Sequence, residues 1–384
     1  MTRQGIATVA RQEFRLRIRA GRWRLLLGIW FAILTVFTGL LRGALGGFSE
    51  TELTDKGVIL YGGLMLFVLG LALLVVPALA AQSVNGDRER GTLATLQVTR
   101  LTAGDITLGK FTAAWGTSLV FLGLTLPLVL FALTQGGVPV GRTLIVTLVL
   151  ALLLGTVCAL SLALSSLLSR TTTSGVLAYL TVFALTVGTL IVFGLVTAVT
   201  TESETVSYTP QCPSATDLPA ELSVEERNRI LSQCSEAPQS YQNTITRTDR
   251  TWWLLAPNPF VILADSAPSL PAETAAERRQ READQQRGIS RQDARDLDPL
   301  GIIGSAVRDL RRPPERYNGN GEPGVQILTS ESPSQAVQAE RDRRRPVWPY
   351  GLAFDVALAL GALAVTRRRL QTPSRTLATG QRVA

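Results

Sequence analysis

The chain has 384 residues, of which 46% are hydrophobic, and a formal net charge of +8. It contains no histidine and three cysteines, so its composition argues against zinc, haem and iron–sulfur sites, and no cofactor or metal is expected. The basic residues are nearly all arginine and lack interleaved aromatic residues, which argues against a nucleic-acid partner. The apolar residues instead form long uninterrupted runs, which is typical of a protein that crosses a lipid membrane.

Residues 1–24 are rich in arginine and are predicted to form a cytoplasmic interfacial helix. At about 100° per residue its apolar side chains fall opposite its arginines, which suits an anionic leaflet, although Glu13 and Arg17 intrude on the apolar side. A signal peptide is the alternative interpretation. The apolar run that follows, 25–41, is long for a signal core and no small-residue cleavage site stands out, so we interpret it as a retained first span.

Six apolar runs are each close to the ~20 residues needed to cross a bilayer. They are 25–41, 58–81, 111–133, 144–168, 175–199 and 348–366. The predicted fold is therefore an all-α polytopic membrane protein of six transmembrane helices, with a large extracellular insertion between helices 5 and 6. Residues 25–199 hold helices 1–5, residues 200–346 form the extracellular domain, and residues 347–384 hold helix 6 and a cytoplasmic tail.

The distribution of arginine predicts the orientation in the membrane. If six spans alternate, most basic residues fall on one side, and the positive-inside rule makes that side the cytoplasm. We therefore expect a multi-pass protein of the cell membrane with both termini cytoplasmic. Asp355 lies about two turns inside the sixth span, where a carboxylate is costly unless it faces a partner or water. It is a candidate contact for a cationic substrate or a gate, or else an interhelical hydrogen-bonding residue.

A largely polar segment, 85–110, connects the second and third spans and contains the run ERGTLATLQVTRL. Gly91 and Thr92 offer a turn and an N-cap, after which leucines recur at roughly helical spacing. This pattern predicts a short amphipathic helix at the membrane surface. Its leucines are available either to a partner or to the base of the protein itself.

The run E-R-G-T-L-x-x-L, followed by V-T and by G-K at the start of the next span, resembles the signature of ABC-2-type transporter permeases. In that family this segment holds the coupling helix, which docks into a separate ABC ATPase subunit. The resemblance includes Gly109 and Lys110, and it departs at Arg100, where members often have proline. It implies an ATPase-coupling role for Glu89, Arg90, Gly91, Thr92, Leu93, Leu96, Thr99 and Leu101.

The resemblance implies a permease subunit, expected to be an exporter, that acts as a homodimer or as a heterodimer with a similar permease. The chain has no G-x-x-x-x-G-K-[ST] motif and no nucleophile–base set, so it is expected to be no enzyme itself, with ATP hydrolysed by the separate partner. The alternative functions are a self-contained secondary transporter and a membrane-anchored receptor or scaffold. A self-contained secondary transporter would need several intramembrane ionisable residues, and a membrane-anchored receptor or scaffold would need fewer spans.

The predicted extracellular insertion contains Cys212 and Cys234. In an oxidising compartment this pair is a natural disulfide that closes a short loop, although two free cysteines remain an alternative. Trp252 and Trp253, with Asn258-Pro259-Phe260 just beyond, resemble the aromatic segment that lies against the outer membrane face in ABC-2 permeases. Aromatic side chains also favour membrane interfaces on physical grounds.

Overall fold

A computed structural model describes 13 stretches of the chain, and every statement about structure below concerns these residues. They are residues 2–19, 21–46, 53–54, 56–89, 91, 101–208, 223–226, 239–267, 279, 283, 292–293, 297–311 and 345–371. The chain divides into two compact units. The first comprises Met1–Leu190, Leu255–Val307 and Pro346–Ala384, and the second comprises Ile191–Leu254 and Arg308–Arg345.

The described chain is mostly helical, as predicted. In chain order the helices are α1 (Arg3–Arg19), α2 (Gly21–Gly46), α3 (Lys56–Ala80), α4 (Asn85–Glu89), α5 (Ala103–Gly123), α6 (Leu126–Thr134), α7 (Val140–Leu167), α8 (Thr171–Phe183), α9 (Thr189–Val199), α10 (Pro259–Ser266), α11 (Pro299–Asp309) and α12 (Trp348–Leu370). Six helical stretches are long and apolar enough to cross a membrane. They are Trp23–Gly46, Lys56–Glu89, Ala103–Thr134, Val140–Leu167, Thr171–Val199 and Trp348–Leu370.

Two of these stretches are much longer than a membrane requires. Lys56–Glu89 has 34 residues and Ala103–Thr134 has 32, whereas about 20 residues cross the hydrocarbon core. The polar residues of the first stretch are concentrated at its C-terminal end and those of the second at its N-terminal end, and residues 90–102 connect these two ends. Roughly 12 residues of each stretch are therefore available to extend beyond the apolar layer on that side. The apolar runs in the sequence identified the spans but missed this extension.

The core of the first unit lies around α3 and α7. Leu64, Met65 and Leu69 of α3 and Leu150 and Leu153 of α7 are almost completely buried. Each helix is buried on part of its surface only, since Leu74 of α3 and Leu144 and Leu148 of α7 are exposed. The stretch Thr171–Val199 is the opposite case, since none of its most apolar window is buried, and it offers its side chains to the surroundings of the protein.

Helices α8 and α9 are joined by a π-helical turn, Ala184–Gly188, which Asn258 stabilises. The Asn258 side-chain amide donates to the Thr186 carbonyl oxygen (2.7 Å) and to Thr189 Oγ1 (2.9 Å). Its Oδ1 accepts from the Phe260 backbone N–H (2.9 Å) and so caps α10. A π turn frees backbone groups from the regular helical ladder, and here one side chain satisfies such a group and also starts the next helix.

Two aspartates tie the distant part of the chain to the bundle. Asp265 Oδ2 accepts from the backbone N–H groups of Val347 (2.5 Å) and Trp348 (2.7 Å) at the start of α12. Asp298 Oδ2 accepts from Arg142 Nη2 (2.5 Å), and both of these residues are 2% exposed. A carboxylate near a helix N-terminus satisfies free donors and favours the helix dipole, which explains the position of Asp265.

The second unit contains a β-hairpin, so the prediction that the fold is entirely α-helical was wrong there. The first strand of the chain is β1 (Leu53–Thr54). In the second unit, β2 (Thr201–Tyr208) pairs antiparallel with β3 (Gln239–Thr246), with Thr201 opposite Thr246 and Tyr208 opposite Gln239. In the first unit β1 forms a short parallel pair with β4 (Gln292–Asp293). Just after β3, Arg247 forms ion pairs with Glu202 and Asp249, both at 3.0 Å.

Candidate functional site

The segment with the recognisable motif is described at its two ends. Glu89, Gly91 and Leu101 are described, whereas Arg90, Thr92, Leu93, Leu96 and Thr99 lie outside the described residues. Gly91 has φ +70°, and its N–H donates to the Arg88 carbonyl oxygen (3.1 Å). Because only glycine adopts this left-handed conformation readily, Gly91 suits the residue that ends α4 and turns the chain.

On its N-terminal side the segment is hydrogen-bonded to the C-terminal end of α7 and to the turn that follows it. The backbone N–H groups of Val84 and Asn85 donate to Ser165 Oγ (3.2 and 3.1 Å). Arg88 Nη1 donates to the Leu168 carbonyl oxygen (3.2 Å). The end of the second span is thereby fixed to the end of the fourth.

Glu89 has a structural role that its motif position did not predict. Its Oε1 accepts from the backbone N–H of Thr171 (3.2 Å) and from Thr171 Oγ1 (2.9 Å). Thr171 is the first residue of α8, whose own preceding residue, Arg170, makes no side-chain cap. Glu89 therefore caps the fifth span from a different element, and its negative charge lies at the positive end of the helix dipole.

On its C-terminal side the segment enters α5 through a capping box. Thr102 Oγ1 accepts from the Asp105 N–H (3.2 Å), and Asp105 Oδ2 accepts from the Thr102 N–H (3.0 Å). Asp105 Oδ1 also accepts from the backbone N–H of Thr2 (2.8 Å). This reciprocal pattern is a strong helix start, and it also binds the chain's N-terminal end.

Leu101, one of the leucines of the motif, packs within the protein. Its side chain contacts the small buried cluster of Val84, Ile106, Leu162 and Leu370. For Leu101 the structure thus favours the second of the two sequence interpretations, in which a leucine packs on the protein's own base. For Leu93 and Leu96, which lie outside the described residues, both interpretations stay open.

Lys110 forms the charged centre of this region. Its side chain is 0% exposed, and Nζ donates to Glu13 Oε1 (2.5 Å), to Asp87 Oδ2 and to the Ser83 carbonyl oxygen (2.9 Å). Removing an ammonium group from water is costly, and here two carboxylates and a carbonyl offset that cost. Lys110 connects three elements, because Glu13 belongs to α1, Asp87 to α4 and Lys110 itself to α5. We call Glu13, Asp87 and Lys110 the lysine triad.

Helix α1 can approach α5 closely because residue 109 is glycine. A Cβ atom at Gly109 would lie 2.6 Å from Val9 Cβ, which is closer than real Cβ contacts. The glycine of the G-K pair therefore lets α1 pack against α5, and the lysine beside it reaches the carboxylate that α1 supplies. The sequence identified both residues of the pair, but it did not identify Glu13 or Asp87 as their partners.

The same helix places a second charge against the bundle. Arg17 donates to Thr117 Oγ1 (3.1 Å) and to the Leu79 carbonyl oxygen (3.4 Å). Burial lowers the pKa of the Arg17 guanidinium from its ordinary value, while the nearby charge of Glu13 opposes that shift. Glu13 and Arg17, the two charged residues on the predicted apolar side of α1, therefore both bind this helix to the bundle.

An open groove of about 550 Å³ lies beside this region. Glu89 and Gly86 line one side, and Thr172 and Tyr179 of α8 line another. Within the described residues, no group of three or more histidine, cysteine, aspartate or glutamate side chains could hold a metal.

The remaining predicted residues do not belong to this site. Asp355 is 1% exposed, and its Oδ1 has no hydrogen-bond partner among the described residues, so the interhelical bond considered from the sequence is not formed by that atom. Cys212 and Cys234 lie outside the described residues, and their disulfide stays a prediction. Cys158 is a buried free cysteine in α7.

Comparison with known proteins adds no assignment. No model of a known protein family matches the chain, and no curated protein matches its sequence. The interpretation of this region therefore depends on its motif and its geometry.

Proposed function

We propose that this chain is the membrane-spanning permease subunit of an ABC-2-type transporter. It acts as an exporter, paired with a second copy or with a similar permease, and a separate ABC ATPase subunit supplies the energy. The segment between the second and third spans is the site at which that ATPase docks. Six helices long and apolar enough to cross a membrane, together with the motif residues 89–101, support this proposal.

The observation that carries the proposal is that residues at both ends of this segment form hydrogen bonds and ion pairs with several spans. Glu89 caps the fifth span, Ser165 of the fourth accepts hydrogen bonds from residues 84 and 85, and Lys110 of the third reaches Asp87. These bonds give the connection more contacts with the bundle than the joining of two spans requires. A docking segment needs them, because a partner can move the spans only through a rigid connection.

The chemistry of this region suits transmission of force. In the sequence of residues 90–100, leucines are spaced in a pattern typical of a helix that docks into a groove. Displacement of that helix acts on Glu89 at one end and on the capping box of Thr102 and Asp105 at the other. Substrate moves along a path between two such subunits when the ends of these spans shift together.

The test compares two leucines of the same segment. Leu96→Ala is expected to weaken the affinity for the ATPase subunit roughly thirtyfold, which corresponds to about 2 kcal/mol for an apolar anchor, and so to reduce recovery of that subunit in a pull-down. The melting temperature of the permease should stay unchanged. Leu101→Ala is the matched control, because Leu101 packs inside the protein. It is expected to lower the melting temperature and to leave ATPase recovery near normal once folded protein is compared. Unchanged ATPase binding by Leu96→Ala, with a lowered melting temperature, would contradict the docking role.

One observation favours a second candidate, a self-contained secondary transporter. Asp355 is a buried carboxyl group in the sixth span, and its Oδ1 has no partner among the described residues. Such a group is typical of a proton or cation pathway. Transport in proteoliposomes separates the two candidates, because a secondary transporter responds to an ion gradient without ATP and loses activity in Asp355→Asn. The permease subunit requires the ATPase and ATP.

A further inference from the structure

The outer face of α1 carries a row of arginines. Arg11, Arg15 and Arg19 are exposed and follow one another at intervals of four residues, or about 6 Å along a helix. The buried residues of this helix, Gly5 and Val9, lie to one side of the row, roughly 80° and 120° around the helix from Arg15. We call Arg11, Arg15 and Arg19 the arginine row.

No carboxylate of the described residues neutralises this row. The arginines of the row form no ion pair or side-chain hydrogen bond with another described residue. The nearby carboxylates are engaged elsewhere: Glu13 and Asp87 bind Lys110, and Asp105 caps α5. The positive charge of the row is therefore available to a partner that carries negative charge.

Exposed apolar side chains lie on both sides of the row. Leu16 is 62% exposed and Ile18 is 46% exposed, and at 100° per residue they flank Arg15 and Arg19. The chain then continues into α2, whose Leu25 is 64% exposed at the start of the first apolar stretch. A face that combines basic and apolar groups beside a membrane span fits a lipid, since headgroup phosphates can contact the arginines while acyl chains contact the leucines and isoleucine.

We propose that the C-terminal half of the arginine row, Arg15 and Arg19, binds the headgroup of an anionic phospholipid in the leaflet on the side of the chain termini. The guanidinium groups contact the phosphate through charge-assisted hydrogen bonds, and Leu16 and Ile18 contact the acyl chains near the headgroup. The site holds a lipid whether or not the chain couples to an ATPase, so it does not depend on the proposed function.

The test measures lipid binding to the full-length protein in a neutral detergent by native mass spectrometry. Phosphatidylglycerol and phosphatidylcholine are titrated separately, and inorganic phosphate is titrated alone. We expect phosphatidylglycerol to bind more tightly than phosphatidylcholine, and the double variant Arg15→Gln/Arg19→Gln to weaken phosphatidylglycerol binding by roughly 25-fold, at about fivefold for each arginine. The conservative variant Arg15→Lys/Arg19→Lys keeps the charge and should keep most of the affinity.

Arg3→Gln is the control, because Arg3 is exposed on the same helix about 24 Å from Arg19, and its replacement removes one positive charge, as each substitution of the double variant does. It should leave lipid affinity unchanged. Equal affinity for the two lipids, an effect of Arg3→Gln as large as that of the double variant, or equally tight binding of inorganic phosphate would overturn the proposal. So would a double variant that keeps its phosphatidylglycerol affinity and loses only the ATPase, since the row would then serve a protein partner.

Discussion

Replacing Lys110 with methionine removes the only cation of the lysine triad and leaves two carboxylates facing each other. The side chains of Glu13 and Asp87 are 18% and 13% exposed, so solvent reaches them only in part. Removing one partner of a buried ion pair typically costs 3–5 kcal/mol, and the partial exposure of the carboxylates places the expected loss near the lower end, at about 3 kcal/mol. With roughly 2–4 °C per kcal/mol for domains of moderate size, the melting temperature should fall by roughly 6–12 °C.

The measurement is thermal unfolding of the purified protein in detergent, compared with an exposed control, Arg11→Met. The control should change the melting temperature little, because Arg11 has no ion pair among the described residues. Lys110→Met/Glu13→Gln/Asp87→Asn, which removes all three charges, should recover most of the loss, since neutral groups need no counter-charge. The reasoning is refuted if Lys110→Met melts with the parent protein, or if the triple variant is no more stable than the single one.

Three further predictions concern other contacts. Gly109→Ala should lower the free energy of unfolding by about 1–3 kcal/mol through overpacking. Gly116→Ala, where an added Cβ meets nothing within 4 Å, should instead raise it by about 0.5–1 kcal/mol, so the two variants should shift the melting temperature in opposite directions. Asn258→Ala should lose about 2 kcal/mol by the same measurement, because one side chain caps α10 and also binds the π turn. The hydrogen bond from Arg247 lowers the pKa of Asp249. The contribution of this ion pair to folding stability is therefore fully present above the ordinary aspartate pKa of about 4, and it is lost as the pH falls through the lowered pKa. The protection of hairpin amides against hydrogen exchange, relative to the intrinsic rate at each pH, should fall in that acidic range, and Asp249→Asn should remove the acidic step.

The six spans could be predicted because each is a long apolar run, but the polar turns that extend two of them could not. The second span was predicted to end at residue 81, which agrees with the end of α3 at Ala80, but a turn and α4 continue the helical stretch to Glu89. The third was predicted to begin at residue 111, whereas α5 begins at Ala103. In both cases the additional turns are polar, and hydrogen bonds from other elements hold them, which a hydropathy pattern does not record.

The candidate site was predicted in part. The motif indicated Glu89, Gly109 and Lys110, but the partner of Lys110 on α1 is 97 residues away in sequence, and local patterns carry no information about such a pairing. The one signal was that Glu13 and Arg17 lie on the apolar side of α1, which is unusual for charged residues unless they are bound. The β-hairpin of the second unit was missed because its strands are rich in polar residues and lack a clear apolar alternation.

The hydrogen bonds between Asp265 and the start of α12 set an order for biosynthesis. Val347 follows Asp265 by 82 residues, so at about 5–20 residues per second the ribosome needs roughly 4–16 s to deliver it. During that interval the first five apolar stretches have already left the ribosome, while Asp265 lacks both of its backbone donors. The last span must then insert beside helices that have had time to assemble, and its docking completes the capping of its own first turn. A nascent chain arrested before residue 347 should therefore expose the Asp265 carboxylate, and protease accessibility around α10 would decrease only after the final span is released.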